Sequence, residues 1–346
     1  YTISEDKTTY TFPLRKGVLF HNGEPVTPED VVYSYERLSG QFDGTVYAEG
    51  LEGVLVTSAG NDVTFTLPEP NGAFLSEMIG PVIPKKLTPD EMNDHPIGTG
   101  PYMFSSYTPA DSLKLEAFKD YWNDEKKAKI PYAEFRIFSD NNAMMTSLLG
   151  GEIDVLPRVT INQLPSLDDF DLYEGEQNLI QFMGFNLEYP LFSNPNARKA
   201  IAHAIDKDDL IKVVAQGKGT ILGSNLSPVM GEYFREGLEY LYPYDIERAK
   251  ELLAEVPEDK SFTITVPSNY DFHVTTAEYI ATKLNEVGFN VDIETVEWGV
   301  WLDRVYAGRQ FEATIIAFDG VLDPDPLMRR YTSDFPRNMN NYSNPV

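Results

Sequence analysis

From Phe262 onward the chain alternates strand-like and helix-like patterns almost without interruption. Phe262 to Val266 is β-branched and apolar, and Thr275 to Val287 carries apolar residues at helical spacing and is closed by Gly288. Phe289 to Val296 is strand-like again, a short helix leads to Gly308, and Ala313–Phe318 is a further strand. Parallel strands need crossover connections of this length, so the pattern predicts an α/β unit with mainly parallel pairing. Upstream, Ala197 to Ala204, a segment opening at Asp206-Lys-Asp-Asp209, and Asp245 to Ala254 read as helices, the second ended by Gly217 and Gly219. A chain of 346 residues has room for two or three domains.

The first hundred residues have a different texture. Thr8 to Leu14 alternates with period two, placing Tyr10, Phe12 and Leu14 on one face, and Asn22-Gly23 follows as a turn dipeptide. Thr27-Pro28-Glu29-Asp30 has the form of a helix start: a capping hydroxyl, a proline at the first helical position, and acids in the first turn. Val31, Val32, Tyr35 and Leu38 supply its apolar face. Leu51 to Leu67 reads as two strands around Ala59-Gly60-Asn61-Asp62, and Asp94 to Tyr102, with two prolines and two glycines, as a loop at a boundary. Strands are expected at Tyr102–Ser106, Leu113–Phe118 and Ala133–Phe138, and a helix from Asn141 to Leu149 stopped by Gly150-Gly151. A short strand at Glu152-Ile-Asp-Val-Leu and a longer one from Asn178 to Asn186 complete the pattern.

Composition excludes several function classes. Lys and Arg number 28 against 54 Asp and Glu, a formal net charge of −26, which repels polyanions such as nucleic acid and anionic membranes. Cysteine is absent, which removes disulfides, thiolate metal sites and cysteine nucleophiles. His21, His95, His203 and His273 are scattered and form no zinc-hydrolase spacing. No nucleophile elbow or phosphate-binding loop is present, and Gly98-Thr-Gly100 lacks the third glycine and helix of a dinucleotide site. No apolar run approaches the roughly 20 residues that span a bilayer. The opening Tyr1-Thr-Ile-Ser-Glu has no initiator methionine and reads as an interior strand entry, so the chain is expected to be a processed or trimmed piece. The acid cluster Asp323-Pro-Asp325-Pro326 follows the carboxyl end of a buried strand, where open α/β sheets bind ligands. It is open to three readings: a turn cap, an anchor for a cationic ligand group, or a carboxylate pair for hydrolysis.

A series of segments, taken together, resembles the family 5 extracellular solute-binding proteins, the peptide- and nickel-type receptors of ABC importers. They are Tyr10-Thr-Phe-Pro-Leu-Arg-Lys-Gly-Val-Leu-Phe-His-Asn-Gly-Glu-Pro-Val-Thr-Pro-Glu-Asp-Val-Val32, Pro96-Ile-Gly-Thr-Gly-Pro-Tyr102, Asp120-Tyr-Trp122, Gly151-Glu-Ile-Asp154 and Gly184-Phe-Asn186. Arg198-Lys-Ala-Ile-Ala-His-Ala-Ile-Asp206, Tyr244-Asp-Ile-Glu-Arg-Ala-Lys-Glu-Leu-Leu253, Val296-Glu-Trp-Gly299 and Asp323-Pro-Asp325 continue the series in family order.

The resemblance implies an α/β fold of the type II periplasmic-binding-protein kind, a two-lobed clamp with an extra small domain. By analogy residues 1–93 form the small domain, 94–182 the first lobe without its opening strands, and 183–346 a second lobe that stops short, with Leu179–Asn186 crossing the hinge. It implies a non-enzymatic receptor that closes on a peptide and delivers it to a membrane permease, outside the cytoplasm, as a monomer, with no cofactor and no metal. Trp298 matches a ligand-packing position, Trp301 is expected in the core, and Trp122 is structural. Asp319, with Asp323 as fallback, corresponds to the acid that pairs with a peptide amino group. After strand Phe262–Pro267, where dipeptide receptors place an arginine, this chain has Ser268-Asn-Tyr-Asp271. An oligopeptide held by its backbone is therefore expected rather than a dipeptide, with Asn269 and Tyr270 as contacts. An oligosaccharide- or nickel-type receptor, and a hydrolase using Asp323 and Asp325, are the alternatives.

Overall fold

The computed structural model describes the chain apart from positions 43, 45, 139, 176, 321, 322, 345 and 346. It divides into two compact units, Tyr1–Arg158 and Val159–Val346. Among the described residues, no helix is long and apolar enough to cross a membrane.

The first unit holds two sheets. Strands β1 (Thr2–Ile3), β2 (Thr9–Pro13), β3 (Leu55–Ala59) and β4 (Asp62–Thr66) form an antiparallel sheet in the order β1-β2-β4-β3. Its buried side chains Tyr10, Val56, Val63 and Phe65 meet Val31 and Tyr35 of the helix Pro28–Leu38, with Tyr35 and Phe65 edge to face at 5.0 Å. That helix starts as its sequence dictates. Thr27 and Asp30 form a reciprocal capping box, and the buried Asp30 carboxylate also accepts from the Lys85 backbone N–H at 3.0 Å. Strands β5 (Tyr102–Thr108), β6 (Ser112–Ala117) and β7 (Tyr132–Arg136) form the second sheet, with a bulge between Phe104 and Ser106. The helix Asn141–Leu149 follows, capped by Asp140.

Two motifs of this unit have structural explanations. Arg15 lies 4.3 Å over the ring of Trp122, so the Asp-Tyr-Trp segment clamps the chain that follows β2. His21 ties its own turn to the glycine loop: Gly98 N–H donates to Nδ1 at 3.2 Å, and the Nε2–H is left to donate to Gly100 O at 3.1 Å. One expected element is corrected. Glu152 to Leu156 is turn and bend rather than strand. Gly151, at φ +71°, reverses the chain, and Glu152 N–H bonds back to Ser147 O, which ties the segment to the helix end instead of a sheet.

The second unit is built on a four-stranded sheet of β8 (Leu179–Phe185), β9 (Ser261–Pro267), β10 (Asn290–Val296) and β11 (Ala313–Asp319), in the order β10-β9-β11-β8. β9 runs parallel to both β10 and β11, whereas β8 is antiparallel to β11. The helix Asp271–Val287 connects β9 to β10 and presents His273, Thr276, Ala277, Ile280, Ala281, Leu284 and Val287 at helical spacing to the core. It begins four residues earlier than the sequence pattern suggests, and Gly288 ends it at φ +118°. With the helices Pro195–Ala204 and Ile246–Ala254 it fills one core around Phe192, Ile264, Ile315 and Leu284. Each such side chain contributes about 1.5–3 kcal/mol on burial. The connection from β10 to β11 builds a second core through the turn Trp298–Val300 and the π-type helix Trp301–Ala307, where Trp301, Val305, Phe311, Ile316 and Met339 are buried. The Gly-Phe-Asn motif is a fastening point. Asn186 donates to the carbonyls of Arg309 and Phe311 at 3.1 and 2.9 Å and accepts from Asn341 at 2.9 Å.

Burial holds the His21 imidazole below its ordinary value near 6.5, so the unfolded chain takes up the proton first. Its contribution is complete above pH 6.5 and declines as pH falls through the depressed value. Replacing His21 by Ala is expected to cost about 1–2 kcal/mol at pH 7.5 in urea titrations, and less at pH 5. An equal cost at both pH values would contradict this bonding pattern.

Candidate ligand-binding site

In the second unit the sheet order places a topological switch between β9 and β11. The connection from β9 goes to β10 on one side, and the connection from β10 returns across β9 to β11 on the other. Open α/β sheets bind ligands outside the carboxyl ends of strands at such a point. The two strands pair only at Ala313 with Ile264 and Thr314 with Thr265.

The sequence-predicted residues map onto this carboxyl edge as follows. Ser268 N–H donates to Val296 O at 2.7 Å, bringing the turn after β9 beside the turn after β10. Tyr270 and Trp298 consequently meet edge to face, with ring centroids 5.6 Å apart. Tyr270 is 42% exposed, Asn269 beside it is exposed, and Trp298 is half-buried. Asp319 is exposed and closes β11 opposite Leu179. Val321 and Leu322, part of the segment that follows it in sequence, lie outside the described residues. Asp323 Oδ1 accepts from the Asp325 backbone N–H at 2.9 Å, and Asp325 is ion-paired with Arg329 one helical turn later. The acid cluster thus caps and braces the helix Asp325–Met328. An open cleft of about 510 Å³, lined among others by Asp208, Lys212, Glu239 and Tyr240, brings together none of these residues.

What holds the Trp298 ring had no single sequence signature. It stacks on Trp301 at 5.3 Å with the planes 3° apart, and Trp301 stacks in turn on Tyr306 at 6.0 Å. Trp301, as expected, is core, at 1% exposure. Its indole N–H donates to Thr314 Oγ1 at 3.1 Å, and that hydroxyl donates to Thr265 O at 2.6 Å, closing the gap between β11 and β9. Tyr306 meets Phe318 edge to face at 5.9 Å, and Arg330 lies 4.2 Å over Phe318. A continuous aromatic row therefore runs under the edge from Trp298 to Arg330. The paired arginines after Asp-Pro-Asp, in a chain poor in cations, were the signal that could have directed attention to Arg330.

Tyr270 is backed by the buried His273, centroid to centroid 5.4 Å. Gln181 Nε2 donates to His273 Nδ1 at 2.7 Å and sits within 3.3 Å of Thr276 Oγ1. Burial lowers the His273 pKa from 6.5 to about 4, so the imidazole is neutral at physiological pH.

Two outcomes are expected here. Thr314→Val leaves the Trp301 N–H without its acceptor in a dry core, so a loss of about 2–3 kcal/mol is expected in chemical denaturation. A neutral result would remove Thr314 as the tie. His273 makes stability fall as pH drops from 6.5 towards 4, because the unfolded chain binds its proton first. His273→Gln should flatten that part of the pH–stability curve, and an unchanged slope would show that other groups set it.

The family model for bacterial extracellular solute-binding proteins, family 5 Middle, matches residues 1–340. The dipeptide-binding protein of Escherichia coli is 28% identical across 89% of this chain and 64% of its own length. The glutathione-binding protein GsiB of Pectobacterium atrosepticum is 31% identical across 86% of this chain and 60% of its own. The chain thus spans less than two thirds of the length of these two relatives. Among solved structures, the ABC transporter substrate-binding protein CtaP of Listeria monocytogenes superposes with a TM-score of 0.88 at 26% identity, covering 99% of this chain and 74% of that one. By fold and by sequence, this chain belongs to the bacterial extracellular solute-binding proteins of family 5.

Proposed function

We propose that the protein is the ligand-capturing component of an ABC importer for peptides. It works outside the cytoplasm, hands its ligand unaltered to a membrane permease, and takes peptides longer than two residues. The observation that carries this reading is the Tyr270–Trp298 pair at the carboxyl edge of the second unit's sheet. An aromatic face set on a rigid stack buries a flat amide or side chain with little loss of its own freedom. Nothing in this arrangement activates a nucleophile. The cluster that suggested hydrolysis is committed to structure, since Asp325 is paired with Arg329 and Asp323 caps the turn. The relatives reported above are named as binding proteins, one for dipeptides and one for glutathione.

The preference for longer peptides rests on the segment after β9, Ser268-Asn-Tyr-Asp271, which offers amide and hydroxyl groups and no cation for a terminal carboxylate. Asn269 and Tyr270 suit the backbone of an extended chain. Asp319, exposed at the end of β11, is the proposed partner for a ligand amino group.

Calorimetry with defined pools of di-, tri- and tetrapeptides tests the reading. Binding of the longer pools without product formation is expected. Trp298→Ala should weaken that binding at least about tenfold, with the folding transition shifted by no more than the loss of one stacked pair, about 0.5–1.5 kcal/mol. Failure of every peptide pool to bind, or hydrolysis of the peptides, would overturn it.

A further inference from the structure

Three buried side-chain atoms among the described residues, Arg304 Nε, Asp325 Oδ2 and Arg330 Nη1, lack a hydrogen-bond partner, and Arg304 and Asp325 each have an ion-pair partner, Glu294 and Arg329. The Nη1 of Arg330 is sealed from solvent. Of the flanking carboxylates, Asp325 is paired with Arg329, and the exposed Asp334 forms no ion pair with Arg330 among the described residues. The guanidinium instead rests on the face of Phe318 and lines a small cavity of about 10 Å³ together with Ile180, Phe182, Asn225 and Tyr331. That volume is about one water molecule, or one oxygen of a larger group. Burial raises the Tyr331 phenol, so it remains a neutral hydroxyl beside the cation.

The cavity's position gives it meaning. Phe318 pairs with Ile180 in the sheet, one residue inside the Asp319–Leu179 pair that forms the carboxyl edge. The cavity therefore lies beneath the β11–β8 part of the carboxyl edge, across the switch from Tyr270 and Trp298. A permanently charged planar donor without an acceptor is costly to keep dry, and a carboxylate is the acceptor that matches it in charge and shape.

Building on the peptide-receptor reading above, we infer that Arg330 is the anion anchor of this site and takes a carboxylate of the ligand, one of whose oxygens enters the cavity between Phe318, Asn225 and Tyr331. The anchor then lies not after β9 but on the far side of the topological switch. Trp298 and Arg330 stand at opposite ends of the aromatic row through Trp301, Tyr306 and Phe318, so a ligand that meets both is an extended chain with a free carboxylate. The local Asp319, Asp323 and Asp325 and the overall negative charge disfavour anions at long range, so selectivity comes from short-range pairing in an apolar pocket.

Three randomised tetrapeptide pools test this with the protein: free acids, C-terminal amides lacking Asp and Glu, and C-terminal amides containing them. The free-acid pool is expected to bind about 10- to 100-fold more tightly than the amide pool without acidic residues, the range of a charge-assisted bidentate pair. Arg330→Gln should remove that difference, and Arg330→Lys should keep part of it. Recovery of tight binding by the amides containing Asp and Glu assigns the carboxylate to a side chain; no recovery assigns it to the terminus. Equal binding of free acids and amides by the unsubstituted protein, which needs no variant to fold, would overturn the inference while leaving the peptide reading intact, with a water filling the cavity. Binding of none of the pools would overturn both.

Discussion

A single hydroxyl with no access to water organises the second unit. Thr314 stands at the last point where β11 and β9 are paired, and it donates across that point to Thr265 while accepting from Trp301. Above it the strands go separate ways, which opens the carboxyl edge. Beneath it the indole of Trp301 is fixed in position and orientation, and Trp298 inherits both through parallel stacking. A buried polar group of this kind is favourable only when every partner is present, so it specifies one arrangement of the sheet, the π-type helix and the half-buried Trp298 together. The candidate site is an extension of the core rather than a decoration on its surface.

The two faces of that sheet divide the labour. One face packs on helices rich in alanine, leucine and isoleucine and supplies stability. The other carries the aromatic row and supplies the edge with chemistry. The row places a π-surface at one end and a cation over a π-surface at the other. A ligand lying across it meets an apolar contact, exposed hydroxyl and amide groups, and a charge in sequence, which is a pattern that extended peptides can satisfy.

Much of this was legible in the residues. The strand and helix order after Phe262 follows from β-branched runs and from Gly288, and the capping box at Thr27 follows from its four-residue signature. Trp301 is core as expected, and Trp298, three residues earlier on the same helical face, is half-buried against it. The segment Glu152 to Leu156 has strand composition, but the bond from Glu152 N–H to Ser147 O overrides that preference, and no local pattern reveals it. The role of His21 was equally hidden, because its partners Gly98 and Gly100 lie more than seventy residues away. Asp325 has the setting of a free acid in the sequence, but Arg329 folds back to pair with it. Contacts between distant segments decide such cases, and periodicity does not report them.

The π-type helix adds a restriction of another kind. The wide turn from Asp303 to Gly308 accommodates one residue more than an ordinary helix would, and that surplus sets the rotation of the preceding turn, which carries both tryptophans, relative to β11. Removing a residue there would tighten the coil and swing Trp298 and Trp301 together by about 100° around the axis, away from Thr314. Substitutions in this stretch can be absorbed by repacking, but insertions and deletions cannot. Between β10 and β11 the segment is a ruler, and its length is under stricter control than its spelling.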